Sequence, residues 1–413
     1  MTTPQTLKGF RDFLPETMTI RNKVISTLKA VFESYGFAEL QTPTLEYAEV
    51  LTGKYGEEAE KLMYLFKDPG NRAVGLKYDL TVPLARLMTQ YPDLPKPFKR
   101  YQIQPAFRAE NTQKSRYREF YQCDIDTIGT TSPLADAEIL AVISDSLSAL
   151  KFSDFTIRVN SRQILFDLII KSGISSDKTF TVLQIIDKLD KKPRTEIEVE
   201  LASKQVDQLQ INNLFSLLDT AQPDPKLQEI IDLGIKLGAR NVQFSPFLVR
   251  GLDYYTGAIF ETIVEKPKIG SITGGGRYDQ LIKTLGGPDL PAVGTTIGLD
   301  RICDVIADLN LWPNLPKSPA QVLVAIFSPD LYSPALKLSR SLRESGVNTE
   351  LYPNPNIKLD KQLKYASAKN IPFIAILGPE EISQNSIKIK NMQTSEQQNL
   401  SLENLKNYLE IRN

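Results

Sequence analysis

The stretch LVRGLDYYTGAIFE, residues 248–261, sets an arginine, an aspartate and two adjacent tyrosines inside what otherwise reads as a buried strand. A buried guanidinium is costly unless an anion pairs with it. Arg250 is therefore expected to wait for an anionic ligand. In PAFRAE, residues 105–110, a strand would put Arg108 and Glu110 on one face, a fixed cation beside a fixed acceptor. The planar fork of arginine pairs two phosphate oxygens at once. The next segment, NTQKSRYREF, adds Lys114, Arg116 and Arg118 in an expected hairpin loop, and Phe120 follows, placed to stack on a base. This group reads as a grip on a nucleotide triphosphate, with a solvated basic turn as the plainer alternative. GLDRI, residues 298–302, offers Arg301 at the start of a helix, for a ligand or for a structural salt bridge. GGGRYD, residues 274–279, fits neither GxGxxG nor a phosphate-binding P-loop. Its glycines either admit a ligand against the backbone or make a tight bend.

The acids come next. KYDLTVP, residues 77–83, puts Asp79 and Thr81 on one face of an expected strand, able to hold an ammonium group together. YQCDID does the same for Gln122, Asp124 and Asp126. Acids alternating along a central strand are costly unless they meet a cation; an exposed edge face is the alternative. Jointly these segments describe a pocket with three arginines for phosphates and several acids for an amine or a basic ring.

Composition narrows the chemistry. The 413 residues include no histidine, which excludes imidazole metal ligands, Ser-His-Asp triads and histidine general bases. Two cysteines are too few for a disulfide framework or a zinc site. Lys plus Arg equals Asp plus Glu, so any polyanion must be held by local patches. No run approaches the roughly 20 apolar residues of a membrane span, and MTTPQTLKGFRDFLPE lacks a signal-peptide core. A cytoplasmic protein with no membrane partner is expected.

The elements that must position these residues follow from periodicity. A helix is predicted from about Met18 to Tyr35, then a strand broken at Pro43; over residues 60–128 short strands alternate with turns and one helix, which suits an antiparallel sheet. A helix follows over about 134–150. Residues 165–240 turn helical in period and rich in Lys, Asp and Gln, as in an inserted subdomain. Strand patterning resumes through LVRGLDYYTG and GGGRYD, and AVGTTIGLDRICDVIADL reads as a strand running into a helix. LWPNLPKSPA reads as a stiff linker. Beyond it strand and helix alternate in an α/β module of open-sheet type.

FRAE with its basic loop, GTTIGLDRI and GFAELQTPTLE resemble the three motifs of class II aminoacyl-tRNA synthetases. LVRGLDYYTG and GGGRYD resemble the two histidine signatures of the histidyl-tRNA synthetase family, and KGFRDFLPE and KLDKQLKYASAKN match its patterns too. The resemblance covers nearly the whole chain and is weakest over 165–240. It implies an α+β catalytic domain with an antiparallel sheet over residues 1–164 and 241–311, and a helical insertion over 165–240. A linker over 312–319 and an α/β anticodon-binding domain over 320–413 would complete a homodimer subunit. Its substrates would be histidine, histidine tRNA and ATP, with Mg2+ accompanying ATP and no protein-held metal. By the same resemblance Arg108 binds the α-phosphate from one side and Arg250 meets the histidine carboxylate and the phosphate from the other, while Glu110, Arg116, Phe120 and Arg301 address ATP. Asp79, Thr81 and Gln122 hold the α-amino group, and Asp126, Tyr255 and Tyr278 enclose the imidazole. Tyr254 is expected to pack in the core. Lys358, Lys361, Lys364 and Lys369 lie in or near one helix of the last domain, either facing RNA or forming a solvated face. The alternative is a non-catalytic histidine-binding paralogue that regulates ATP phosphoribosyltransferase; such paralogues typically lack the last domain and erode the signature arginine.

Overall fold

The computed structural model describes residues 3–53, 60–112, 115–190, 192–250 and 254–410. The chain divides into two compact units, Met1–Asp12 with Lys23–Trp312, and Phe13–Asn22 with Pro313–Asn413.

The first unit contains strands β1 (Ala38–Glu39), β2 (Leu45–Tyr47), β3 (Leu65–Lys67), β4 (Ala73–Leu76), β5 (Phe98–Phe107), β6 (Glu119–Ile128), β7 (Thr156–Ser161), β8 (Val242–Phe244), β9 (Ala258–Ile263), β10 (Thr273–Arg277) and β11 (Ala292–Gly298). Among the described residues they form two sheets. The larger has the order β1-β5-β6-β11-β10-β9-β7-β8, antiparallel through its centre and parallel at the outer pairs β1–β5 and β7–β8. The smaller has the order β2-β4-β3. The strands and one helix expected over residues 60–128 are present, but the strands fall in two sheets. The physical reason is the helix Thr81–Gln90, which intervenes between β4 and β5 and carries the chain from one to the other.

Helices begin where the local chemistry allows. Pro133–Ala149 opens on Ser132, whose hydroxyl accepts from the Leu134 N–H, with proline in the first turn where no donor is lost. Asp207 and Gln210 form a capping box for Gln208–Asp219, and Asp224 caps Pro225–Lys236. Between β7 and β8 the described elements are all helices, the first starting at Arg162 and the last ending at Lys236. Leu165, Ile169, Leu183, Ile186, Ile211 and Phe215 share one apolar core with Leu248, Val249, Tyr255 and Ile259, so these helices pack behind the signature segment. Pro225–Lys236 instead lies on Pro133–Ala149: a Cβ at Gly234 would touch Leu140.

The second unit holds β12 (Val322–Ile326), β13 (Thr349–Leu351), β14 (Phe373–Leu377), β15 (Ile387–Asn391) and β16 (Gln397–Leu400) in the order β13-β12-β14-β15-β16. The first three are parallel, joined through the helices Tyr332–Glu344 and Leu359–Ala368; β15 and β16 add an antiparallel edge. β12 and β14 are buried along their whole length, as a sheet covered on both faces requires. Lys369, just past the helix Leu359–Ala368, pairs with Glu350 at 2.8 Å.

Candidate active site

The site is built on the register of the large sheet. On β6, Gln122, Asp124 and Asp126 alternate onto one face, and each meets a partner on both neighbouring strands. Asp126 lies opposite Arg100 of β5 and Gly294 of β11; Asp124 lies opposite Gln102 and Thr296; Gln122 lies opposite Gln104 and Gly298. One row runs on from Asp124 through Thr296 to Gly274 of β10 and Glu261 of β9. The acids sit on a central strand and are buried, not on an exposed edge.

Arg250 stands over this row. It lies in the segment between β8 and β9, not in the strand expected for it, and Gly251, Leu252 and Asp253 lie outside the described residues. Nor does its charge wait unpaired for a ligand: Nη1 donates to Glu261 at 3.2 Å. Gly274 is what admits it, because a Cβ there would overlap the guanidinium. The glycine-rich segment therefore makes room for a side chain of the protein itself. Tyr255, Glu261 and Tyr254 outweigh the desolvation that opposes its charge and hold Arg250 above the ordinary arginine range.

Arg108 and Glu110 lie just beyond β5, which ends at Phe107, and not within the strand. The Arg108 N–H still donates to the Arg118 carbonyl at 2.9 Å, so the hairpin pairing continues past the strand. The Arg108 guanidinium lies 4.3 Å from the Tyr78 ring centre and 5.1 Å from that of Phe120, and Nε donates to the Tyr78 carbonyl at 3.1 Å. Glu110 pairs with Arg116. Lys114 lies outside the described residues. Arg118 turns away, donating from Nη1 to the Lys8 carbonyl at 3.4 Å. Arg301 donates to the carbonyls of Ser271 and Ser115. Burial lowers its affinity for its proton, and the charges of Arg116, Arg250 and Arg108 lower it further. Arg301 therefore feels the charge of three other guanidiniums, an electropositive setting that suits a polyphosphate.

Asp79 and Thr81 do not share a strand. Asp79 ends the turn after β4, and its Oδ1 accepts from the Thr81 and Val82 N–H groups at 3.0 Å each, capping Thr81–Gln90. Oδ2 accepts from the Tyr254 hydroxyl at 3.3 Å. Tyr254 is thus a wall of the site and not only core, its ring 4.9 Å from Tyr255 and 6.0 Å from Tyr278. Gln122 donates to Thr296 at 3.2 Å, and its Oε1 has no partner among the described residues. Tyr278 donates to Asp126, whose other oxygen lies 2.7 Å from Arg100. Burial pushes the hydroxyls of Tyr255 and Tyr278 well toward the protonated form.

Two parts of the motifs are structural. Arg277 of GGGRYD is buried against Asp136 and Asp279, tying β10 to the first turn of Pro133–Ala149. Asp300 of GLDRI pairs with Arg11 at 2.6 Å and accepts from the Tyr121 N–H. The sequence reasoning missed Arg100, Lys77, Gln102 and Glu261. Lys77 is fully buried, donating to Gln104 at 2.9 Å and to the Thr42 carbonyl at 3.3 Å, and burial lowers its pKa to about 8. A signal was present: Arg100, Gln102 and Gln104 alternate on β5 as the acids do on β6. Among the described residues no group of three or more Cys, Asp or Glu side chains is arranged to hold a metal ion.

A largely antiparallel sheet bearing buried acids, with three arginines crowding a fourth, is the arrangement of a class II aminoacyl-tRNA synthetase. The family model for histidyl-tRNA synthetase matches residues 9–302, and that for an anticodon binding domain matches residues 321–412. The chain belongs to the histidyl-tRNA synthetase family. It is 40% identical to the histidine–tRNA ligase of Gloeobacter violaceus, covering 96% of each chain. It is 38% identical to that of Cytophaga hutchinsonii, covering 96% of this chain and 97% of the other. The crystal structure of histidyl-tRNA synthetase from Nostoc sp. PCC 7120 superposes with a TM-score of 0.86 at 29% identity, covering all of both chains.

Proposed function

We propose that this chain ligates histidine to its tRNA in two steps. The histidine carboxylate attacks the α-phosphorus of ATP, the bond to the leaving pyrophosphate breaks, and histidyl-adenylate forms. A hydroxyl of the terminal ribose of tRNA then attacks the acyl carbon, and AMP leaves. The observation that carries this reading is the convergence of Arg108, Arg116, Arg250 and Arg301 beside a row of buried acids in a chain of this family.

The roles follow the chemistry. Arg108 and Arg250 approach the α-phosphate from opposite sides and stabilise the charge that develops there. Glu110, Arg116, Phe120 and Arg301 receive the rest of ATP, with Mg2+ carried in by its phosphates. Asp79, Thr81 and Gln122 take the α-amino group, and the unpartnered Gln122 Oε1 is a suitable acceptor. Asp126, Tyr255 and Tyr278 take the imidazole. A pocket of buried hydrogen-bonding groups rejects lookalikes because mismatches leave those groups unpaired. We assign residues 1–164 and 241–311 to catalysis, 165–240 to a helical insertion, 312–319 to a linker and 320–413 to the anticodon, in a cytoplasmic homodimer. The regulatory-paralogue alternative is disfavoured by the presence of Arg250 and by the match of residues 321–412 to an anticodon binding domain.

ATP–pyrophosphate exchange with each of the twenty amino acids tests the reading. Exchange is expected with histidine alone, and Arg250→Ala is expected to reduce it by about 10²- to 10³-fold. Histidine binding without exchange would transfer the chain to the regulatory class.

A further inference from the structure

Arg100 is fully buried on β5, yet no motif of the sequence claims it. Its Nη2 lies 2.7 Å from Asp126 Oδ2 and 4.0 Å from Asp124 Oδ2, and Nε and Nη1 have no hydrogen-bond partner among the described residues. One cation thus serves two carboxylates that are themselves neighbours on β6. Two buried carboxylates beside a single guanidinium do not both ionise readily. The cation is not shared equally between the carboxylates: it is closer to Asp126, and the same Nη2 also donates to the Leu80 carbonyl at 3.5 Å. The Tyr278 hydroxyl donates to Asp126 as well, and Gly294 leaves room for its carboxylate where a Cβ would collide. Asp124 Oδ1 and Asp126 Oδ2 are each buried without a hydrogen-bond partner among the described residues, so Arg100 holds Asp126 through the ion pair alone.

We propose that Arg100 is the positioning residue for recognition of the substrate ring: it clamps Asp126 against Tyr278 and leaves the neutralising proton of the pair on Asp124, so that Asp126 meets the ring as a carboxylate. The proposal rests on the histidine-ligating reading given above. Burial raises the pKa of Asp126, and Arg100 and the Tyr278 hydroxyl work against that rise. Thr296 of β11 and the more distant Arg100 favour ionised Asp124, but burial and the charges of Asp126 and Asp79 outweigh them and raise its pKa to about 7. Lys77 also feels Asp124, and the Tyr255 and Tyr278 hydroxyls feel it from the opposite wall. With no histidine in the chain, the substrate's own ring is the one imidazole in the complex. A titration near neutral pH therefore has few owners.

The test is pyrophosphate exchange over about pH 6 to 9, with the KM values for histidine and ATP measured separately for wild type, Arg100→Met, Arg100→Lys, Asp124→Asn and Asp126→Asn. Arg100→Met is expected to raise the histidine KM roughly 10- to 100-fold while leaving the ATP KM within about twofold. It should also move the low-pH rise in histidine KM to higher pH, because Asp126 without its cation holds a proton more tightly. Arg100→Lys should restore part of both effects, and Asp124→Asn should cost less than Asp126→Asn. Equal rises in both KM values, an unmoved pH profile, or a larger loss from Asp124→Asn than from Asp126→Asn would overturn the assignment. Should Arg100→Met not fold, the double variant Arg100→Met/Asp124→Asn removes the cation together with the neighbouring titrating acid; a wild-type histidine KM in that protein would also overturn it. If wild type itself shows no histidine-dependent exchange, the functional reading fails, which is a separate outcome.

Discussion

Gln362 of the second unit and Asp124 of the first are both buried polar side chains beside central strands, and they are treated in opposite ways. Gln362 donates to the carbonyls of Ile326 and Ile357 at 2.8 Å each and accepts from the Ile326 N–H at 2.9 Å. Asp124 keeps one oxygen with no partner among the described residues, beside an arginine with two idle nitrogens. Leaving such a group unsatisfied costs roughly 1–3 kcal/mol, and natural folds keep that strain where function uses it. The contrast extends to the strands themselves. β12 and β14 are apolar from end to end, whereas β5 and β6 carry Arg100, Gln102, Asp124 and Asp126 through the centre of a sheet. The second unit is stabilised by burial, and its buried Gln362 has both ends of its amide satisfied. The first unit gives up stability on one face of its sheet to hold charge ready.

Four substitutions sharpen or break this contrast. The largest effect is expected from Arg277→Met. It strands the buried carboxylate of Asp136 and should lower stability by about 3–5 kcal/mol, read by chemical denaturation. A small loss would mean that the ion pair on this sheet is not structural. Gln362→Leu should remove about 2–3 kcal/mol from the second unit by orphaning the Ile326 backbone groups. Pyrophosphate exchange should survive it. A loss of exchange would erase the distinction between the two units.

Asp124→Asn should act in the opposite direction. The folded pKa of Asp124, about 7, lies above its unfolded value of 3.8, so the folded state binds the proton more tightly. Stability contributed by that proton is present below about pH 4 and is lost as pH rises toward 7. Asparagine stays neutral, so the variant should be more stable than wild type at pH 8 by on the order of 2 kcal/mol, the difference fading toward pH 4. Destabilisation at pH 8 would make Asp124 an ordinary structural acid. The smallest effect belongs to Lys369→Ala. Its exposed pair with Glu350 should be worth less than about 1 kcal/mol, checked by thermal melting with and without salt.

Much of the fold was legible because its signals are local. The helix Pro133–Ala149 announces itself with Ser132 and Pro133, and the strand-to-helix run AVGTTIGLDRICDVIADL appears as β11 followed by Leu299–Asp308. The alternation of β12, β13 and β14 with helices was equally plain. Local expectations failed where a nonlocal partner overrode them. Asp79 looked like a strand residue, but its carboxylate caps Thr81–Gln90; Tyr254 does pack against the core, and its hydroxyl also meets Asp79. Arg250 was noticed for its type, but not for Glu261, eleven residues on, which takes its charge.

What the sequence alone determined was therefore the inventory: which residues could bear charge, that no imidazole of the protein takes part, and which motifs place the chain in its family. Residue types and short spacings are properties of the chain itself. What only the tertiary structure decided was pairing. That Arg100 meets Asp126 more closely than Asp124, that Gly274 yields to Arg250, and that Arg301 is crowded by three other arginines all depend on strand register and on contacts far apart in sequence. A one-residue slip in register would turn Arg100, Asp124 and Asp126 to the other face of their sheet.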